Sequence, residues 1–204
     1  MKPIKLNATG SVIADYLYTN ISFAEAGFSR FRSKEPGDGG LEPGKLVLTE
    51  DFEAFCKRST DEVLAEIVGD RKPDAFNLGG PGVVALINTA QLLAEMPITS
   101  SFYSTNGNDE TGDKLRKILE RTPVNIEHFL TIDEKAPITY VLSDPGFHDG
   151  AGERTFINGI RAAWRMIPEA LDEEFFDADI VLFGGTALIP RVHEALTSLT
   201  YRAR

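Results

Sequence analysis

Cysteine is nearly missing from this sequence. Cys56 is the single one among 204 residues, so neither an intrachain disulfide nor a multi-cysteine metal site is available, and a reducing, cytoplasmic setting is expected. Histidine is scarce as well: His128, His148 and His193 are scattered without metal-ligand spacing, and no metal site is expected from them. No apolar run approaches the roughly 18 residues that would cross a bilayer. The opening stretch MKPIKLNATGSVIADYL lacks the uninterrupted apolar core and small-residue cleavage site of a secretory signal. Positive charge is in deficit, with 21 Lys and Arg against 31 Asp and Glu and a net charge of −10. A general affinity for nucleic acid or for an anionic membrane is thereby excluded, because both need a cationic surface. Also absent are a GxxxxGK[ST] phosphate loop, a GxGxxG turn after a strand, and a GxSxG nucleophile elbow.

What is present is ordinary in bulk and informative in order. A hydrophobic share of 42% and a charged share of 25% belong to a globular protein, and the length suits one main domain. Ile4 begins a strand that turns at Thr9-Gly10-Ser11, and Val12-Ile13-Ala14 is a second extended run. Asp15 follows it directly, where a carboxylate is expected at a strand end; it reads equally as a turn or cap residue and as a ligand group of the kind open α/β sheets place there. Between Tyr18 and Leu48 the short pieces YLYTNISF and KLVLTE flank SKEPGDGGLEPG, which predicts a small antiparallel flap, with Phe23, Phe28, Phe31 and Leu46 needing a surface to pack on. Spacings of three and four then predict helical segments over residues 50–70, broken at Ser59-Thr60, where a hydroxyl caps the second piece.

Gly79-Gly80-Pro81-Gly82 opens the next helix: glycine permits close backbone approach and proline suits the first helical position. Asn88 lies within that helix, as a satisfied core amide or as a ligand contact. A strand over Ile98–Tyr103 leads to the turn Asn106-Gly107-Asn108-Asp109, and a helix follows whose acidic first turn complements its dipole. Residues 138–158 read as a hairpin. A helix near Pro168–Phe176, a strand over Asp179–Phe183, Gly184-Gly185 and a helix from Pro190 complete an alternation that predicts a three-layer α/β sandwich with a mainly parallel sheet.

Asp15, the Gly79-Gly80 helix start, the block Ser104-Thr105-Asn106-Gly107-Asn108-Asp109-Glu110-Thr111-Gly112, Thr139, Gly152-Glu153-Arg154-Thr155-Phe156 and the strand Ala178-Asp179-Ile180-Val181 occur in an order that resembles the PfkB/ribokinase family of carbohydrate and nucleoside kinases. The helical stretch before Gly79 is similar to the adenosine-kinase branch. The resemblance implies a ribokinase-like sandwich with a β-flap lid at 18–48 on a core of 1–17 and 49–204. It implies ATP-dependent phosphorylation of a sugar or nucleoside hydroxyl, with Mg²⁺. By the same resemblance Asp15 accepts hydrogen bonds from sugar hydroxyls, the Gly79-Gly80 backbone admits the ring, and both converge on one cavity beneath the flap. Glu153 matches a position near the pocket, and Asn106 belongs to a scaffold turn with a ligand contact in reach. Where the family has an asparagine after its glycine pair, Val84 stands here; Asn88, one turn on, shares that helix face. The glycine-rich GAGD-type segment with the catalytic base is expected beyond Arg204. The chain therefore reads as truncated, holding the substrate site without transferring phosphate unaided. The alternative is a non-catalytic binding or assembly module, a homodimer through the lid or an exposed sheet edge. A nucleotide-binding α/β protein of another family is the third reading.

Overall fold

The computed structural model describes residues 2–204, whose strands form two sheets. In chain order these are β1 (Ile4–Gly10), β2 (Ile13–Tyr18), β3 (Leu46–Leu48), β4 (Ala75–Gly79), β5 (Ile98–Gly107), β6 (Phe129–Ile132), β7 (Ile138–Asp144), β8 (Glu153–Gly159) and β9 (Ile180–Gly184). The chain divides into two compact units, one of residues 2–14, 78–137 and 160–204, the other of residues 15–77 and 138–159.

The first unit is built on a sheet of order β6-β5-β1-β9 whose pairings are parallel. β1 is central and buried from Leu6 to Gly10, so its polar side chains must be satisfied within the fold. Asn7 donates to the carbonyls of Glu174 and Phe175, each at 3.1 Å, and Thr9 donates to the Tyr103 carbonyl at 2.9 Å. The helix Pro81–Leu92 packs onto this sheet at a glycine contact. A Cβ on Gly82 would lie 2.9 Å from the Gly184 carbonyl oxygen, and one on Gly10 would lie 1.8 Å from the same atom. Asp109 caps the helix Glu110–Leu119, accepting from Gly112 N–H at 2.9 Å, and the same oxygen takes the Ala136 N–H at 3.2 Å. The single helix expected near Pro168–Phe176 is instead a 3₁₀ turn, Pro168–Ala170, and a short helix, Glu173–Phe176. The break falls where the Asp172 side chain accepts the Phe175 N–H and starts the second piece afresh.

The second unit is built on the sheet of order β3-β8-β7-β2-β4. β7 and β8 form the expected hairpin, antiparallel and paired from Ile138↔Gly159 to Asp144↔Glu153. The helices Thr49–Cys56 and Thr60–Val68 contribute Phe52, Val63, Leu64 and Val68 to a buried cluster with Phe23, Phe28, Phe31, Leu142 and Ile157. Ser59 caps the second helix in a full capping box with Glu62, as the break at Ser59-Thr60 predicts.

Residues 18–48 do not form an antiparallel strand pair of their own. Their one complete strand is β3, which runs parallel to β8 in the register Leu46↔Phe156 to Leu48↔Asn158. The cause lies in the loop between: Asp38 accepts the N–H groups of Lys34, Glu35 and Gly40 at 2.7, 3.1 and 2.9 Å. A side chain thus takes donors that a strand ladder would need. Gly37, Gly39 and Gly44 have positive φ, which turns the chain repeatedly. The aromatic residues expected to need a surface have one, Phe23 stacking on Phe28 with centroids 4.2 Å apart.

Candidate functional site

In the second unit, alternation along the strands separates two chemistries. Tyr16, Tyr18, Tyr140, Leu142 and Ile157 turn toward the aromatic and aliphatic cluster. Their neighbours Asp15, Thr139 and Asn158 fall on the opposite face, because successive side chains of a strand point to opposite sides. Thr139 and Asn158 are directly paired across the hairpin, and β2 is the neighbour of β7 on its other side. The three polar groups therefore form a row over three adjacent strands. Asn158 Nδ2 donates to Thr139 Oγ1 at 2.7 Å, and the Thr139 hydroxyl favours the charged form of the Asp15 carboxyl.

Asp15 lies inside β2 and not at a strand end. A carboxylate is tolerated there because the next strand supplies a hydroxyl and because the side chain is only half-buried. Burial pushes its pKa above the ordinary aspartate value, and the Thr139 hydrogen bond pulls part of the way back. One acceptor position is taken by Thr139; a carboxylate has further lone pairs for ligand hydroxyls.

The other candidates are placed as follows. Gly79 ends β4, and Gly80 is the N-cap of the helix Pro81–Leu92. Gly80 has φ +113, and a Cβ there would lie 2.1 Å from the Ser11 carbonyl oxygen, so the fold demands glycine whether or not a ligand approaches. No side chain caps this helix and no acidic residue lies in its first turn; Pro81 has no N–H to offer, and Gly82 and Val83 are buried. Asn88 is exposed, on the same helix face as exposed Val84; it is a surface amide and not a core one. Asn106 is buried at the end of β5 and donates to the Gly112 carbonyl at 2.9 Å, which makes it a brace for the turn.

Glu153 does not join the row at Asp15. It pairs with Asp144, five residues along β7 from Thr139, about 17 Å in an extended strand. Its Oε1 accepts the Arg154 N–H at 2.8 Å. A cavity of about 450 Å³ lies at that far end of the hairpin, lined by Phe23, Arg32, Asp144, Phe147 and His148 among others. Asn158 was not singled out by its local sequence. A polar residue in the apolar run Thr155-Phe156-Ile157-Asn158 is a signal, but only the hairpin register puts it opposite Thr139. Among the described residues no group of three or more His, Cys, Asp or Glu side chains is arranged to hold a metal ion, and no step below is routed through one.

No family model matches the sequence, and no curated protein matches it. Solved structures do. Adenosine kinase from Trypanosoma brucei brucei superimposes with a TM-score of 0.64 at 16% identity over 100% of this chain and 56% of that one. Adenosine kinase from Anopheles gambiae, in complex with P1,P4-di(adenosine-5) tetraphosphate, gives 0.63 at 16% identity, covering 95% of this chain and 53% of that one. Ribokinase from Thermotoga maritima gives 0.53 at 14% identity, covering 87% and 44%. The chain thus spans about half the length of these enzymes. Its two sheets, the parallel one with its glycine-packed helix and the mixed one with its hairpin, are those of the ribokinase-like fold, the fold of the adenosine kinases and of ribokinase.

Proposed function

We propose that this chain carries the acceptor-binding part of an ATP-dependent kinase of the PfkB type, whose substrate presents the hydroxyl groups of a sugar or nucleoside. The observation that carries this reading is the half-buried Asp15 carboxylate, held by one neighbouring hydroxyl and with its other lone pairs uncommitted. Such a group recognises adjacent hydroxyls, each of which donates to it, and the charge makes those bonds stronger than neutral ones. The glycine pair Gly79-Gly80 keeps the role that the resemblance gives it, backbone that a ring can approach without meeting a side chain. Asn88 takes the amide role at the helix face where Val84 offers none. Asn106 and Glu153 contribute to the scaffold. The shared fold with adenosine kinases favours a nucleoside over a free sugar. ATP and Mg²⁺ supply the phosphoryl group and neutralise its charge. The 204 residues alone bind the acceptor without turning it over.

Calorimetric titration of the chain with adenosine and with ribose tests the reading. Saturable binding that Asp15→Asn abolishes or weakens by roughly tenfold or more is expected, the magnitude of a lost charged hydrogen bond. Binding of neither compound, or binding unchanged in Asp15→Asn, overturns it. A phosphoryl-transfer assay with ATP and Mg²⁺ tests the last proposal, and turnover by the chain alone sinks it.

A second reading, an assembly module, is favoured by β9. This strand is an edge of the parallel sheet and exposes Ile180 at 54%, and an edge strand offers unpaired backbone groups to another chain. Sedimentation showing a concentration-independent monomer counts against it.

A further inference from the structure

We propose that the cavity at the far end of the β7–β8 hairpin is a binding site for a free α-amino acid with an aromatic side chain, separate from the row at Asp15. Its volume is about 450 Å³, and Ser22, Phe23, Arg32, Phe147, His148 and Asp149 are among the residues that line it. The walls are fixed from beneath by Asp144, which is 8% exposed. Its Oδ2 accepts the Phe23 N–H at 2.7 Å and its Oδ1 accepts the Gly146 N–H at 2.9 Å. One buried carboxylate thus ties the two segments that face the cavity, and each of its oxygens already has a donor. Phe23 meets Phe147 edge to face with centroids 5.6 Å apart, and Phe147 meets His148 at 4.3 Å. These rings make a wall on which an aromatic side chain can pack.

The exposed charges at the cavity are uncommitted. Among the described residues neither the Arg32 guanidinium nor the Asp149 carboxylate has a hydrogen bond or an ion pair, although both line the same space. A plain anion would meet Asp149 and Asp144, and a plain cation would meet Arg32. A zwitterion satisfies both signs: its carboxylate takes the Arg32 fork and the Ser22 hydroxyl, and its ammonium takes Asp149. The backbone supports the same assignment. His148 and Asp149 have φ of +50 and +56, a left-handed conformation that costs an L side chain free energy and glycine little. Gly150 and Gly152 beside them have φ of +91 and +77, so glycine is what this turn uses where no side chain is needed. Side chains kept at 148 and 149 against that cost are explained by a ligand in the cavity they line.

Calorimetric titration of the whole chain with L-phenylalanine is expected to show saturable one-site binding. Phenylacetate lacks the ammonium, phenethylamine lacks the carboxylate and glycine lacks the ring; each is expected to bind more weakly by roughly tenfold or more. Arg32→Met and Asp149→Asn change exposed side chains and are expected to weaken L-phenylalanine by a similar factor with native circular dichroism. Asp149→Gly is expected to weaken it too, while the melting temperature stays level or rises because the strain is relieved. No saturable binding of L-phenylalanine overturns the site, as does phenylacetate bound as tightly as the amino acid, or an affinity unmoved by both Arg32→Met and Asp149→Asn. A lower melting temperature in Asp149→Gly with unchanged affinity would make the turn merely structural and also overturns it. Displacement of L-phenylalanine by adenosine would put both ligands at one site and refute the separation. Binding of the amino acid by a chain that takes neither adenosine nor ribose upholds this site and refutes the acceptor-binding reading alone.

Discussion

Buried polar side chains bond to backbone in both sheets, Thr155 and Asp144 in the second among them, but one row of the second sheet is used differently. In the parallel sheet they bond to backbone: Asn7 to Glu174 and Phe175, Thr9 to Tyr103, Ser104 to Gly10, Thr105 to Ala162, and Asn106 to Gly112. In the second sheet, the row on β8, β7 and β2 pairs Asn158 with Thr139 side chain to side chain and has the Asp15 carboxylate beside it. A side chain tied to a carbonyl locks a strand or a turn and has finished its work when the fold is made. A side chain tied to an ionisable group sets the orientation and charge of that group. The comparison sets a sheet braced through backbone carbonyls against one that also carries a row of side-chain contacts.

The largest expected effect breaks the frame. In Gly10→Ala the new Cβ would fall 1.8 Å from the Gly184 carbonyl oxygen, at backbone that β1 and β9 share in register. Neither strand can yield without breaking the parallel ladder. We expect destabilisation of at least about 4 kcal/mol, the range reserved for changes that force core backbone apart, read as loss of soluble folded protein or a collapsed midpoint in urea. A Gly10→Ala protein that unfolds at the wild-type midpoint would show that the glycine contact is not what sets the sheet.

Much of the frame was legible in the sequence and the site only in part, for a physical reason. Local chemistry announces local structure: Ser59 before Glu62 marks a helix start, Asp109 marks another, and the turn residues after Asp144 mark a hairpin. Pairing register between strands is not local, and a site assembled across strands depends on it. Asp15 was visible as a candidate but expected at a strand end, since the hydroxyl that makes an interior carboxylate tolerable lies 124 positions away in the sequence, at Thr139. Asn158 became visible only through its register with Thr139. The resemblance placed Glu153 near the pocket of Asp15, and the hairpin puts about 17 Å of strand between Glu153 and the row. Within residues 18–48 the expected antiparallel pairing is not what the strands make, and Asp38 accepts from three backbone donors in the loop between, a side-chain preference that composition does not reveal.

An intermediate effect sharpens the comparison from the second unit. Ser59→Ala removes the acceptor for Glu62 N–H and half of the capping box, at a cost of about 1 kcal/mol. It touches no part of the polar row. Urea unfolding is expected to move by that amount, with the Asp15 titration unchanged. A shift in that titration would mean that the row responds to the helices on the cluster side of the sheet, and the division between frame and site would weaken.

The smallest effect is one of pH, and its sign distinguishes two carboxylates of the same unit. Asp15 is raised above its ordinary value by burial, with the Thr139 bond offsetting part of the rise. The folded state therefore binds the Asp15 proton more tightly than the unfolded state does. The stability associated with it is fully present below the ordinary aspartate value and is lost as pH rises through the raised one. Asp38 behaves in the opposite way. Backbone N–H bonds, first from Gly40 and then from Lys34, bring it down to about 2, so its contribution is present above the ordinary value and lost as pH falls toward the lowered one. Urea midpoints measured on either side of the ordinary value separate them. Asp15→Asn is expected to gain on wild type as pH rises from that value and then run parallel to it; Asp38→Asn is expected to lose least against wild type at the acid end. Because an asparagine oxygen at position 15 still accepts from Thr139, the gain isolates the charge. A gain that appears on the acid side instead would mean that the bond from Thr139 outweighs burial, and the carboxylate would be held ionised by the row even without a ligand.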